Sequence, residues 1–208
     1  MTRLGGSSLA EASEASPLLR RASETARAAH DGQIRSGSGG MPYIEHPRAV
    51  AELLAEHGYG EEVIAAAVLH DVVEDSEITV AELRESFGEP VAGLVAALSD
   101  DESIESYRER KDEHRARVAA AGPDALAIYC ADKLTNIATL RRAYAVQGEA
   151  VGEEFKPPLD LKVEVWEADL EMLRCEAPEL PFLGELEREL ALIREDRARD
   201  RQGQASRR

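Results

Sequence analysis

The chain has 208 residues, enough for one domain with a sizeable core. Apolar residues make up 43% and aromatics only 4%, so that core must be aliphatic and rich in alanine. A net charge of −16 argues against a non-specific nucleic-acid binder, which would carry a basic face, but it leaves room for a small anionic substrate in a cleft whose field is reversed locally. No run approaches the roughly 20 apolar residues of a membrane span. Residues 1–16 lack an apolar signal core. Cys130 and Cys175 sit in apolar surroundings without Cys-x-x-Cys spacing and read as reduced structural thiols, so a cytoplasmic location is expected.

Taken in order, nearly every element reads as helix. Residues 1–15 are small and polar and are expected to be a loose N-terminus. Ser16-Pro17 resembles an N-cap followed by proline at the first helical position, opening a helix to about His30. Asp31 to Tyr43, "DGQIRSGSGGMPY", is a glycine- and serine-rich loop long enough to be functional. His46-Pro47 starts a helix that ends at Gly58, and Glu61 to Asp75 reads as one buried helix. Thr79 to Glu82 is a capping box for a short helix that stops at Gly88. Further helices are expected over Pro90–Leu98, Ser103–Ala121, Asp124–Val146, Leu159–Cys175 and from Pro181 to about Arg197. Residues 198–208 are polar, lack apolar periodicity and are expected to be disordered. With no persistent strand pattern and no repeat, the architecture is all-α, one unit over residues 16–197.

The stretch His70-Asp71-Val72-Val73-Glu74-Asp75 follows an apolar run, Val63 to Leu69. On a helix His70 and Glu74 lie at i and i+4, and Asp71 faces Glu74 and Asp75. Burying such groups is costly unless a cation gathers them, and the competing reading is a solvated acidic helix end. Among the other histidines, His114 lies among charged neighbours and reads as a surface residue. His57 beside Gly58 reads as a helix cap. His30 reads more readily as a satisfied core histidine than as a ligand. His46 begins a helix behind the glycine loop, where a ligand and a structural role both fit.

Asp132 stands in an apolar stretch, with Asn136 and Thr139 following at i+4 and i+7 as a polar stripe. Either it forms a buried pair with a lysine, or it is a ligand with two hydrogen-bonding groups beside it; the stripe favours the second. Sets of imidazoles and carboxylates suit Mn2+, Fe2+ or Zn2+. A bound metal lowers the pKa of its water from about 15.7 towards 7, and Glu74 and Asp75 would then be placed for acid–base work.

The order His46, His70-Asp71, Asp132 resembles the H…HD…D pattern of the HD-domain phosphohydrolase superfamily. The nearer resemblance is to the hydrolase domain of RelA/SpoT-type alarmone enzymes and their small stand-alone relatives. It rests on "HDGQIR" at 30–35, "MPYIEHPRAVAELL" at 41–54, "AAVLHDVVEDSEITVAELRESFG" at 66–88 and "CADKLTNIATL" at 130–140. The resemblance implies an all-α HD domain, a metal (usually Mn2+) held by His46, His70, Asp71 and Asp132, and a catalytic pair Glu74 and Asp75. It implies nucleotide contacts from Arg35, Asn136 and Thr139, and removal of the 3′-pyrophosphate from ppGpp or pppGpp. The chain departs from the pattern at Ser36 and Ala138, where basic residues are common, and at Thr135, where an aromatic or histidine is common. Lys162 is the candidate replacement charge. The chain is too short for the synthetase and regulatory regions of the long enzymes, so alarmone synthesis is not expected. Two alternatives stay open: a phosphohydrolase of another nucleotide, of NADPH type or bearing a 3′-phosphate, and a nucleotide-binding regulatory protein with little turnover.

Overall fold

The computed structural model describes residues 8–155 and 157–205. Eleven α-helices run α1 (Leu9–Ala15), α2 (Pro17–Ala29), α3 (Glu45–Glu56), α4 (Glu61–Leu69), α5 (Val72–Asp75), α6 (Val80–Phe87), α7 (Glu89–Leu98), α8 (Tyr107–Ala121), α9 (Pro123–Gln147), α10 (Leu159–Glu176) and α11 (Leu183–Ala205), with a 3-10 helix at Gly148–Glu154 between α9 and α10. Among the described residues the only β pairing is an isolated bridge between Ile34 and Pro42. No helix among them is long and apolar enough to cross a membrane.

The core is built around α4 and α9. Every residue from Val63 to Leu69 is buried, and α4 packs on α2, α3, α7 and α9. Three consecutive alanines, Ala65–Ala67, let those neighbours approach closely, while Val63, Ile64, Val68 and Leu69 each gain about 2 kcal/mol from burial. The expected helix starts are formed as capping chemistry dictates. Ser16 Oγ accepts the Leu19 N–H ahead of α2, and Thr79 and Glu82 close a reciprocal capping box on α6. The long α9 carries Asp132 and packs along α3, α8, α10 and α11.

Four sequence expectations need correction. The helix expected to run unbroken from Glu61 to Asp75 is interrupted at His70 and Asp71, separating α4 from α5. Adjacent residues on a regular helix point about 100° apart, and both of these side chains turn to one cleft. Within the N-terminal region expected to be loose, α1 forms because Ser8 and Glu11 make a capping box and Leu9 and Ala12 bury their side chains. The Leu9 N–H also donates to Glu52 of α3 at 3.1 Å; residues 1–7 lie outside the described residues. The tail expected to be disordered is helical to Ala205. It is anchored by charge rather than apolar periodicity: Arg197 reaches Glu149 and Asp160, each at 3.0 Å, and Arg201 reaches Asp160 at 2.6 Å; residues 206–208 lie outside the described residues. Finally, α8 starts later than expected, with Ser106 rather than Ser103 at its threshold.

Candidate metal centre

Four side chains from three places in the chain meet at the break between α4 and α5. His46 from α3 sets Nε2 3.0 Å from Asp132 Oδ1 and 3.6 Å from Asp71 Oδ2. His70 sets Nε2 3.1 Å from Asp71 Oδ1 and 3.8 Å from Asp132 Oδ1. Donor atoms of His46, His70 and Asp132 all lie within 4.8 Å of one another, and the three residues are buried.

Each imidazole is oriented from behind. His70 Nδ1 lies 2.8 Å from the Ala67 carbonyl, which fixes its proton there and turns Nε2 to the cleft. His46 Nδ1 lies 3.3 Å from Thr135 Oγ1, which itself donates to the Asp132 carbonyl. His70 Nε2 is buried yet makes no hydrogen bond of proper geometry. A buried, unpaired nitrogen aimed between two carboxylates is a poor arrangement for polar groups alone and a good one for a divalent cation. The electrostatics agree: burial pushes the His70 imidazole down, but Asp71 and Asp132 outweigh it and raise it to about 9. Asp71 is held below the usual carboxylate range by His70 and His46 in spite of burial.

Asp132 combines the two readings that its sequence context left open. Its Oδ2 accepts from Lys133 Nζ at 2.8 Å, and its Oδ1 accepts from Asn136 Nδ2 at 2.5 Å beside His46. One oxygen therefore faces the cluster and the other is committed to a buried lysine.

The surrounding cleft has a volume of about 140 Å3 and is lined by Glu74, Asp100, Lys111, Tyr129 and Lys133 as well as the cluster. Burial, with Asp71 nearby, raises Glu74 to about 7. Its carboxylate still meets solvent at the cleft mouth, where water screens part of that effect. Asp75 is not on the cleft wall. It lies beside the Tyr43 hydroxyl, which donates to Asp71 Oδ2 at 2.9 Å, and its carbonyl accepts from Gln33 Nε2 at 2.8 Å. Arg35 donates Nη2 to Asn136 Oδ1 at 2.5 Å and keeps Nη1 buried without a partner. Thr139 faces a neighbouring cavity of about 250 Å3 with Ser38, Met41 and Arg142. Lys162 has its ammonium over the rings of Phe155 at 4.7 Å and Trp166 at 5.5 Å. Burial and the nearby Lys111 and Lys133 lower it to about 8.

Residues 22–156 match the protein-family profile described as HD domain. The chain belongs to the HD-domain family. A guanosine-3′,5′-bis(diphosphate) 3′-pyrophosphohydrolase of Vibrio cholerae is 41% identical over 128 residues, covering 59% of this chain but only 18% of that protein. The enzyme of the same name from Mus musculus, MESH1, is 39% identical over 132 residues, covering 62% of this chain and 73% of that one. Among solved structures, a metazoan ortholog of SpoT that hydrolyzes ppGpp superposes with a TM-score of 0.72 at 27% identity, covering 86% of this chain and 96% of that one. A Listeria monocytogenes EGD-e protein superposes with a TM-score of 0.64 at 34% identity, covering 74% and 96%. The other three histidines of this HD domain lie outside the cluster. His114, expected on the surface, is buried with Nδ1 2.8 Å from Asp100 Oδ1, because the segment after α7 folds over it. His57 caps α3 through Leu53 O at 2.7 Å, as its place beside Gly58 suggests. His30 is a core residue, held to Gln33 at 2.8 Å and stacked on Tyr43.

Proposed function

We propose that this chain is a metal-dependent hydrolase that removes the 3′-pyrophosphate of ppGpp or pppGpp, leaving GDP or GTP and pyrophosphate. A cytoplasmic location and a place in the stringent response belong to the same proposal. The observation that carries it is the convergence of His46, His70, Asp71 and Asp132 on a cleft that Glu74 also lines. Its weight comes from similarity to relatives named for that reaction.

In this reading those four side chains hold the cation, Mn2+ first and Fe2+ or Zn2+ as alternatives. When bound, it supplies Lewis-acid polarisation of a phosphoryl oxygen and a water of lowered pKa. Asp132 offers Oδ1 only, since Lys133 occupies Oδ2. Glu74, with its carboxyl raised to about 7, takes up and returns a proton at Oε2 near neutral pH, because Oε1 is tied to the Asp100 N–H. Asp75 acts through the Tyr43 hydroxyl, which keeps Asp71 turned to the cluster. Arg35 offers its unpartnered Nη1 to the nucleotide, with Asn136 and Thr139 along the same face of α9 and Lys162 as a more distant charge.

Purified protein with Mn2+ and ppGpp tests the reaction, and release of pyrophosphate is the expected result. Release of orthophosphate alone, or preference for an NADPH-type or 3′-phosphonucleotide substrate, points to the other phosphohydrolase reading. Ser36 and Ala138, where the resemblance leads one to expect basic residues, favour that alternative. A wild type that binds ppGpp but turns it over no faster than Glu74→Gln is instead a regulatory binder.

A further inference from the structure

Glu74 sits on a helix of only four residues, and among the described residues its carboxylate makes one hydrogen bond, from the Asp100 N–H at 2.8 Å. The other end of that peptide group is the Ser99 carbonyl. It accepts Arg117 Nη1 at 2.6 Å, and the same nitrogen reaches the Ala96 carbonyl at 3.0 Å. A guanidinium therefore lies on the negative end of the Ser99–Asp100 peptide dipole and Glu74 on its positive end. The Asp100 side chain is held as well, by a hydrogen bond from Lys111 and by the charge contacts of His114 and Arg110. Lys111 Nζ lies 2.5 Å from Oδ2, His114 Nδ1 2.8 Å from Oδ1, and Arg110 Nε 3.5 Å from Oδ2. Arg110, Lys111, His114 and Arg117 all come from one side of α8, at i, i+1, i+4 and i+7.

Helix α8 is strongly charged, and its side chains could simply be solvated. Four basic groups turned instead onto one peptide and its side chain, with His114 and Asp100 mostly buried, make a built support. That support ends on Glu74. We infer that Arg117 is a positioning residue for Glu74, acting through the Ser99–Asp100 peptide that Lys111 and His114 anchor. The inference rests on Glu74 being the acid–base group of the proposed reaction.

The test compares Arg117→Met and Arg117→Lys in the wild-type and Glu74→Gln backgrounds, using steady-state ppGpp hydrolysis with Mn2+ and the Asp100 amide resonance. Arg117→Met lowers kcat about tenfold with KM within about twofold, since a mis-aimed proton-transfer group affects the chemical step. Arg117→Lys restores part of the loss. In the Glu74→Gln background the same substitution changes kcat by less than about twofold, because the group it aims is already gone. The Asp100 amide moves upfield and exchanges faster in Arg117→Met. Equal losses in both backgrounds, a change in KM alone, or an indifferent Asp100 amide overturns the inference. If Arg117→Met does not fold, Arg117→Lys and Lys111→Met carry the same measurements. A wild type without pyrophosphate release sinks the proposed reaction by itself; the amide measurement needs no turnover and still decides the clamp.

Discussion

Lys133→Met isolates the charge balance of the candidate metal centre. Lys133 is buried, with Nζ 2.8 Å from Asp132 Oδ2 and 4.3 Å from the centre of the Tyr129 ring. Burial pushes the Asp132 carboxyl up, and Lys133, followed by His46, outweighs it and holds the group well below the usual range. Methionine fills nearly the same space, so the substitution removes charge with little change of volume. Leaving a buried carboxylate without its partner costs about 3–5 kcal/mol. His46 still faces Asp132 at 3.0 Å, which places the loss near the lower end of that range. At about 2–4 °C per kcal/mol for a domain of this size, the melting temperature in EDTA falls by about 6–12 °C. Mn2+ at about a hundred times its Kd stabilises the wild type by about 2.7 kcal/mol. The variant gains more, because the cation takes over part of the lost compensation. Scanning calorimetry with EDTA and with Mn2+ measures both quantities. A variant that melts within about 2 °C of wild type in EDTA, or that gains less from Mn2+ than wild type does, would refute the reasoning.

Glu74→Gln is expected to lower kcat by about 10²–10⁴-fold while keeping the Mn2+-induced rise in melting temperature, since Glu74 is not among the donors; loss of both together would make it a ligand. Gly37 has φ +67°, and a Cβ there would overlap the Phe155 ring. Gly37→Ala should therefore cost about 1–3 kcal/mol and raise KM by displacing the loop that carries Arg35; unchanged melting and KM would count against that contact. Asp100 gives a pH signature. Burial pushes its carboxyl up, but His114 and Lys111 outweigh it and hold it well below the usual carboxylate range. A depressed folded pKa contributes stability above the unfolded value and loses it as pH falls through the folded one. The melting-temperature gap between wild type and Asp100→Asn should thus shrink from about pH 6 to about pH 2, and a constant gap would argue against the clamp.

Much of the site was legible because its residues occur in compact motifs. His46, His70, Asp71 and Asp132 are the four side chains that the structure brings together, and Glu74 lines the cleft they form. Helix starts at Ser16 and Thr79 carried their own capping signals. Ser8 and Glu11 carried one too, but seven residues of α1 gave too little apolar periodicity to register. The α11 extension is held by ion pairs to Glu149 and Asp160, which lie far off in sequence and have no periodic signature. His114 was misread for the same reason. Its partner, Asp100, lies on another segment, and the charged neighbours that suggested a surface position include Lys111, which serves the same carboxylate. Lys162 stands over Phe155 and Trp166 while feeling the charges of Lys111, Lys133, Arg35 and Asp132, tertiary neighbours with no local trace in the sequence.

The interruption between α4 and α5 gives the molecule a boundary two residues wide, His70 and Asp71. On its amino side, the buried α4 holds His70 as rigidly as the core itself. On its other side, the single turn of α5 carries Glu74 and Asp75, held by the Asp100 amide on Glu74, by Gln33 on the Asp75 carbonyl and by buried Val72. An unbroken helix would tie all of these side chains to a common rotation, so that re-aiming one would re-aim every other. Here the short turn can be rewritten alone. Val72 seats the turn in the core, so Val73, Glu74 and Asp75 are the positions that can vary while the scaffold that gathers the donors stays packed.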